Sequence, residues 1–443
     1  MNRRGFLAAS IGTASSAALG GASAPRAPSN HPSAAPPEPL GALLNRERAT
    51  RIMRQAGLDA LFLTSPLNVY YATNAVPVLS RFSTDNTAFA VVPADPARPI
   101  AYVTDGFEYY AGSSDSALAQ DVKPYLAGGG FASSDPHASP AFPYIGNYAF
   151  DARERLRRES LERAAPFQES VSKAASQALL NLRLSRGVIG VDTAYGAALL
   201  REIAPRATSR PASDLMLHIR LVKTPAELQL VRKAAANNVE ASIATAAASR
   251  EVEGIWALRQ RFYQEAAARG NLGVYGSIDL VMSELADGAF REGQCFMIDF
   301  VSQYGFYQGD FGRTVSYGEP DPQMRKAVDI GITAWHEIRE RLKPGLKFSE
   351  IHAIGERTVK ALGAKFSYAF HPHSVGLQHW DQPLKDVQGG ALDLALEPGM
   401  ILSVDCPLLN AGVNGTTHIE DLVLIDGTGS EMIHREYDGL IQV

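Results

Sequence analysis

Cys295-Phe296-Met297-Ile298-Asp299-Phe300-Val301 and, after a turn rich in Gly and Tyr, Gly309-Asp310-Phe311-Gly312-Arg313-Thr314 each set one acid inside an apolar, strand-like run. An ionised carboxylate in a strand core is costly unless it is paired or bound to a cation. A hairpin between the two runs brings Asp299 and Asp310 to the same region. The theme recurs downstream in His373-Ser374-Val375-Gly376-Leu377-Gln378-His379, in Ser403-Val404-Asp405 and in His418-Ile419-Glu420-Asp421. Four acids converging on one fold repel one another unless cations sit between them. Carboxylate oxygens with one imidazole suit Mn, Co, Fe or Zn. Two such ions sharing a water lower its pKa and polarise a carbonyl, which is hydrolytic chemistry. Asp299, Asp310, His373, Asp405 and Glu420 are therefore the candidate metal ligands. Taken singly, each has a plainer reading, as a hydrogen-bonded turn acid or a satisfied core histidine. His31, His137, His218, His336, His352 and His434 stay on that plainer reading.

Working outward, Thr224-Pro225-Ala226-Glu227 carries the signals of a helix start: a capping Thr, Pro at the first position and an acid for a capping box. This helix runs towards Ser249, and a second covers about Gly254 to Ala268. Apolar runs follow at Ile278–Met282 and Cys295–Val301, then helices at Pro322–Arg341 and Ser349–Leu362, then strands at Ile401–Val404 and Ile419–Ile425. The order suggests two similar α+β halves. Before Leu217 the pattern alternates. A helix at Arg46–Gly57 precedes strands at Ala60–Thr64, Thr87–Val92 and Ile100–Val103. Gly128 to Gly146 reads as a Gly/Ser/Pro-rich loop, Arg153–Ala164 and Ser170–Leu182 as helices, Val188–Val191 as a strand and Tyr195–Ile203 as a helix. Residues 42–215 thus read as an α/β domain without a catalytic constellation, and 216–443 as the metal-binding domain.

The 443 residues exceed one typical core, which agrees with two folded domains. A net charge of −5 argues against a nucleic-acid binder. Cys295 and Cys406 lie among apolar neighbours and read as buried small hydrophobes. The start, Met1-Asn2-Arg3-Arg4-Gly5-Phe6-Leu7 followed by a mild apolar stretch to Ala24, reads as a twin-arginine export signal. With a Pro/Ala/Ser-rich linker it occupies residues 1–41. The expected location is periplasmic or secreted, with no membrane anchor.

The order Asp, a second Asp eleven positions on, His-x-x-Gly, a strand acid and Ile-Glu-Asp resembles the creatinase/aminopeptidase P family, peptidase family M24. The family includes Xaa-Pro aminopeptidases, prolidases, methionine aminopeptidases and creatinase. Lys223-Thr224-Pro225-Ala226-Glu227, Asp310-Phe311-Gly312-Arg313-Thr314, Leu342-Lys343-Pro344-Gly345, Glu397-Pro398-Gly399-Met400 and Ile419-Glu420-Asp421 support it, and the likeness covers most of residues 45–443. The resemblance implies a pita-bread catalytic domain preceded by a creatinase-like α/β domain. It implies two divalent ions, with Asp299 on one, Asp310 and Glu420 bridging, and His373 and Asp405 on the other. It implies catalytic roles for Glu420 and for His379, which would contact substrate or shuttle protons. Relatives are often dimers, and the substrate would be a small peptide or small molecule.

Four departures stand out. Asp405 replaces the usual Glu. Val281 to Gln294 lacks the histidine that peptidases of the family carry upstream of the first metal acid. His418 stands where many relatives have Arg. His373 and His379 are six apart rather than seven. The leading expectation is an exported Xaa-Pro aminopeptidase or dipeptidase using a metal-activated water. The alternatives are a lyase of the dimethylsulfoniopropionate-cleaving type or a creatinase-like C–N hydrolase on the same scaffold, and a non-catalytic binding module. Trp380, Tyr304 and Tyr307 would supply an aromatic wall for a cationic substrate in the lyase reading.

Overall fold

The computed structural model describes residues 40–82, 87–112, 118–128, 149–366, 368–409 and 415–443. The export and linker segment up to residue 39, His31, His137 and all but the first residue of the 128–146 loop lie outside these. Residues 39–443 form one compact unit.

The chain enters through α1 (Arg46–Gln55), whose first turn is capped where Asn45 accepts from the Arg48 amide at 3.1 Å. Then follow β1 (Ala60–Leu63), α2 (Pro66–Thr73), β2 (Ala88–Pro93), β3 (Ile100–Asp105), α3 (Gly106–Gly112) and β4 (Val122–Ala127). Next come α4 (Ala152–Leu161), α5 (Val171–Asn181), β5 (Val188–Val191), α6 (Ala194–Ile203), β6 (Thr208–Pro211) and α7 (Ser213–Arg220). The six strands form one mixed sheet in the order β4-β3-β2-β1-β5-β6. β1 is apolar throughout because both of its faces are covered: Leu61 and Leu63 join one core, Ala60 and Phe62 the other. α7 runs through the expected junction at residues 215 and 216 and packs on α1.

The second half begins with α8 (Pro225–Ala247), opened by the expected capping box: the Thr224 hydroxyl accepts from Glu227 N at 3.2 Å and Glu227 Oε2 accepts from Thr224 N at 2.8 Å. It continues through α9 (Ile255–Ala268), β7 (Leu272–Ile278), β8 (Cys295–Tyr304), β9 (Tyr307–Ser316), α10 (Pro322–Arg339), α11 (Phe348–Ala361), β10 (His371–Ser374) and β11 (Ile401–Asp405). β12 (Ile419–Glu420), β13 (Val423–Ile425), β14 (Ser430–Met432) and β15 (Leu440–Gln442) complete it. β12-β9-β8-β7 make one sheet, with β15 also on β9, and α8 and α9 pack against it. β10-β11-β13-β14 make another, next to α10 and α11. Two helix pairs thus pack on two sheets, the first of which also takes in β12 and, parallel to β9, β15 from the end of the chain.

Two expected strands are corrected. Of the run Ile278–Met282 only Ile278 belongs to a strand, as the end of β7; the chain then turns, because Asp279 and Leu280 have φ of 48° and 64°. Ile419–Ile425 is two strands in two different sheets. The break falls at Asp421, whose carboxylate receives Arg313 Nη2 at 2.6 Å and Trp335 Nε1 at 3.0 Å. Those partners hold the chain where it crosses from one sheet to the other. Cys295 and Cys406 are buried free thiols.

Candidate metal centre

The β8–β9 hairpin closes through Gly305 and Phe306, both with positive φ, 55° and 69°, as a two-residue type I′ turn requires. Its register pairs Asp299 with Gly312 and Val301 with Asp310. Directly opposed residues share a sheet face, as do residues two apart, so Asp299 and Asp310 stand diagonally on one face. β12 adds Glu420 on the other side of Gly312, on that same face. β7 adds Tyr275, opposite Val301.

The second sheet brings the remaining ligands. β10 and β11 pair His373 with Ser403 and His371 with Asp405. His373 Nε2 lies 3.3 Å from Glu420 Oε1, 3.4 Å from Asp405 Oδ2 and 3.8 Å from Asp310 Oδ2. Its Nδ1 donates to the His379 carbonyl at 3.1 Å, which makes Nε2, aimed at three carboxylates, the nitrogen available to a metal. Ser403 Oγ donates to Glu420 Oε1 at 2.5 Å. All five expected ligands therefore converge: the two most distant in sequence, Asp299 and Glu420, share one row of one sheet.

His379, six residues after His373, also turns inward. Its Nδ1 is 3.3 Å from Asp310 Oδ2, and its Nε2 is 3.2 Å from Tyr275 Oη. The Tyr275 hydroxyl donates to Asp299 Oδ1 at 3.3 Å. Having one proton, the phenol then accepts from His379 Nε2, which leaves the Nδ1 lone pair toward Asp310.

The electrostatics of this metal-free arrangement are severe. Burial, then the Glu420 charge, raises the Asp299 carboxyl to about 7. The same two causes push Asp310 well above the usual carboxylate range. Asp405 is raised as well, by burial and then Glu420. Burial opposes ionisation of Glu420 too, yet the imidazoles of His373 and His418 hold its carboxyl well below the ordinary value. His373 is raised to about 10, the nearby Asp405 and Glu420 outweighing burial. Burial, with His373 beside it, lowers His379 to about 4.

Neither oxygen of the fully buried Asp310 receives a hydrogen bond from a described group. Such orphaned acceptors among like charges fit a divalent cation. Three sets place one ligand atom per residue within 4.8 Å of one another: Asp310–His373–His379, His373–Asp405–Glu420 and Asp299–His418–Glu420. The residues present thus fit a metal centre of mixed carboxylate and imidazole donors.

Sequence reasoning noted His418 only as a departure, yet it stands inside the cluster. The signal was available: in a strand, residues 418 and 420 share a face. Tyr275 was missed because the strand that carries it was expected six residues later. The anchor behind the His379 loop was missed too. Asp381 is fully buried and takes Arg220 Nη2 at 2.6 Å and Lys223 Nζ at 3.1 Å. These cations hold its carboxyl below the usual range against burial. Tyr307 leaves the expected aromatic wall, being buried with its hydroxyl on Glu227 Oε1 at 3.1 Å. Trp380 is 66% exposed beside His379.

Comparison with known proteins agrees with this geometry. The model of metallopeptidase family M24 matches residues 228–427, and that of the creatinase/prolidase N-terminal domain matches residues 45–139. A protein of Lactobacillus delbrueckii subsp. lactis named Xaa-Pro dipeptidase is 26% identical over 253 residues, 54% of this chain and 67% of that one. An uncharacterized peptidase of Bacillus subtilis is 23% identical over 401 residues, 87% of this chain and 96% of that one. The solved structure of an Xaa-Pro dipeptidase from Bacillus anthracis shares the fold with a TM-score of 0.64 at 18% identity, covering 90% of this chain and 99% of that one. The chain therefore belongs to metallopeptidase family M24, as a divalent-metal-dependent hydrolase with a creatinase/prolidase-type N-terminal domain ahead of a pita-bread catalytic domain.

Proposed function

We propose that this chain is an Xaa-Pro aminopeptidase or dipeptidase that works with two divalent ions. The observation that carries the two-ion reading is the position of Glu420. Its Oε1 faces His373, which also approaches Asp405, while Asp299 stands across Gly312 from it in the sheet, with a ligand atom within 4.8 Å of one of Glu420. Asp299, Asp310, His373, Asp405 and Glu420 are the residues that would hold the ions. Bound there, the ions supply Lewis-acid polarisation of a peptide carbonyl and an activated water.

The chain's own groups do the rest. Glu420, whose Oε1 lies 3.3 Å from His373 Nε2, is the carboxylate assigned to take the proton released during attack. His379, neutral at pH 7, carries its proton on Nε2, and its side chain is 26% exposed. That N–H donates to the Tyr275 hydroxyl, and exchanging this partner for a developing oxyanion would make it the donor there. Trp380 offers an exposed aromatic face beside it, suited to an apolar ring such as proline. The names carried by the relatives favour peptide hydrolysis over the lyase and C–N hydrolase readings.

The test is a panel of Xaa-Pro and Xaa-Ala dipeptides and longer peptides, incubated with protein loaded separately with Mn, Co or Zn and read by mass spectrometry. Cleavage at Xaa-Pro bonds is expected. A panel in which no Xaa-Pro bond is cut with any metal overturns the reading. Export is part of the proposal and rests on Arg3-Arg4 and the apolar stretch after them. Replacing both arginines by lysine should leave the protein in the cytoplasm; unchanged export would refute the twin-arginine route.

A further inference from the structure

We propose that His418 is itself a metal ligand, giving the Asp299 side of the centre an imidazole of its own. The inference rests on the two-ion reading above. Its starting point is a pair of matching positions about one acid. His373 Nε2 lies 3.3 Å from Glu420 Oε1 and 3.4 Å from Asp405 Oδ2. His418 Nε2 lies 3.2 Å from Glu420 Oε2 and 3.6 Å from Asp405 Oδ1. Each carboxylate thus turns one oxygen to each imidazole. If His373 marks one ion, His418 marks the other, and Asp299, His418 and Glu420 already place their ligand atoms within 4.8 Å.

The surroundings of His418 are built for this placement. Its side chain is 1% exposed. Its strand position is clamped by Thr314, whose hydroxyl donates to the His418 carbonyl at 3.0 Å and accepts from its amide at 2.9 Å. The ring lies over Gly312; a Cβ there would overlap both Cδ2 and Nε2. The centre of the Asp299–Gly312–Glu420 row is therefore vacant so that an imidazole can fill it. A nitrogen donor on this side moves the centre towards metals that prefer imidazole, Zn and Fe over Mn.

The experiment uses the full chain stripped of metal and titrated with Co(II) or Zn(II). Bound metal per chain is measured after gel filtration, and the visible absorption of the Co(II) form is recorded. The wild type should hold two ions. His418→Gln should keep one near wild-type affinity, weaken the other by more than ~100-fold, and lose part of the Co(II) spectrum. Removing an outer hydrogen-bonding partner typically costs about 10–100-fold, so a larger loss separates ligand from strut. Thermal unfolding confirms that the variant is folded. If it is not, His418→Ala with added free imidazole takes its place, since imidazole should refill the space over Gly312 and restore the second ion. Two ions bound by His418→Gln within ~3-fold of wild type, or no imidazole rescue in a folded His418→Ala, overturn the assignment. A wild type that takes a single ion defeats the two-ion reading itself, and the ligand assignment with it.

Discussion

Asp299 and Glu420 flank Gly312 in a single cross-strand row, Asp299 paired to it from β8 and Glu420 from β12. The two carboxylates share a face with no side chain between them, and the His418 ring covers the gap. The centre therefore depends on a glycine as much as on its acids.

Gly312→Ala should disable the centre without replacing a ligand. The added methyl overlaps the His418 ring and meets Glu420 Cβ at 3.0 Å, in a strand hydrogen-bonded on both sides. Expelling the ring should cost about 1–3 kcal/mol of stability. Metal binding should fall at least ~10-fold, as for a lost supporting contact. Metal titration with thermal unfolding checks this, and wild-type affinity in the variant would contradict it.

Asp310→Asn should separate function from stability. Asp310 is fully buried, and burial and the Glu420 charge penalise its ionised form. Without metal, the neutral amide should make the protein more stable, by about 1–3 kcal/mol. With metal, binding and hydrolysis should be lost. Chemical unfolding with and without chelator measures both. A variant that hydrolyses at the wild-type rate would remove Asp310 from the site.

The metal-free protein should weaken as pH rises from 7 to 9.5. His373 is raised from 6.5 to about 10, so the folded state keeps a proton that the unfolded chain has released. That contribution is full below pH 6.5 and is lost as pH approaches 10. Asp299, raised from 3.8 to about 7, has already lost its favourable protonation by then and works in the same direction. A fall in Tm on the order of 5 °C is expected in chelator, much reduced by saturating divalent metal. A rising Tm over this window would show that the cluster is not strained by its own charges.

Arg220→Met should damage the His379 loop from a distance. Asp381 accepts from Arg220 and Lys223, takes the Leu377 amide at 3.3 Å, and its own amide holds the Ser374 carbonyl at 2.8 Å. Breaking a buried ion cluster on one side costs about 3–5 kcal/mol. Urea unfolding should show that loss, and kcat should fall more than KM rises, because the loop places His379 rather than binding substrate alone. A loss under ~1 kcal/mol would make the cluster incidental.

Much of this was legible in the sequence because its logic is local. An acid inside an apolar run, as at Asp299, Asp310 and Asp405, announces a charge that needs a cation. The capping box at Thr224 and Glu227 marks a helix start wherever the rest of the chain goes. The unread parts are those set by distant partners. Nothing near Asp421 says that Arg313 and Trp335 will hold it and split Ile419–Ile425 between two sheets. Nothing near Asp381 names Arg220. Positive φ at Asp279 and Leu280 ends β7 early, against an apolar composition that favours a longer strand. His418 was legible by its spacing from Glu420, and was passed over because the residue type departed from the expected pattern.

The central claim is that these acids share one space because divalent ions lie among them, and calorimetric titration of the metal-free full chain with Zn(II) or Mn(II), followed by thermal unfolding of the same samples, tests it most directly. The account predicts two ions bound per chain and a rise in Tm that tracks occupancy. Absence of stoichiometric binding, with Tm unmoved by any divalent metal, would contradict it.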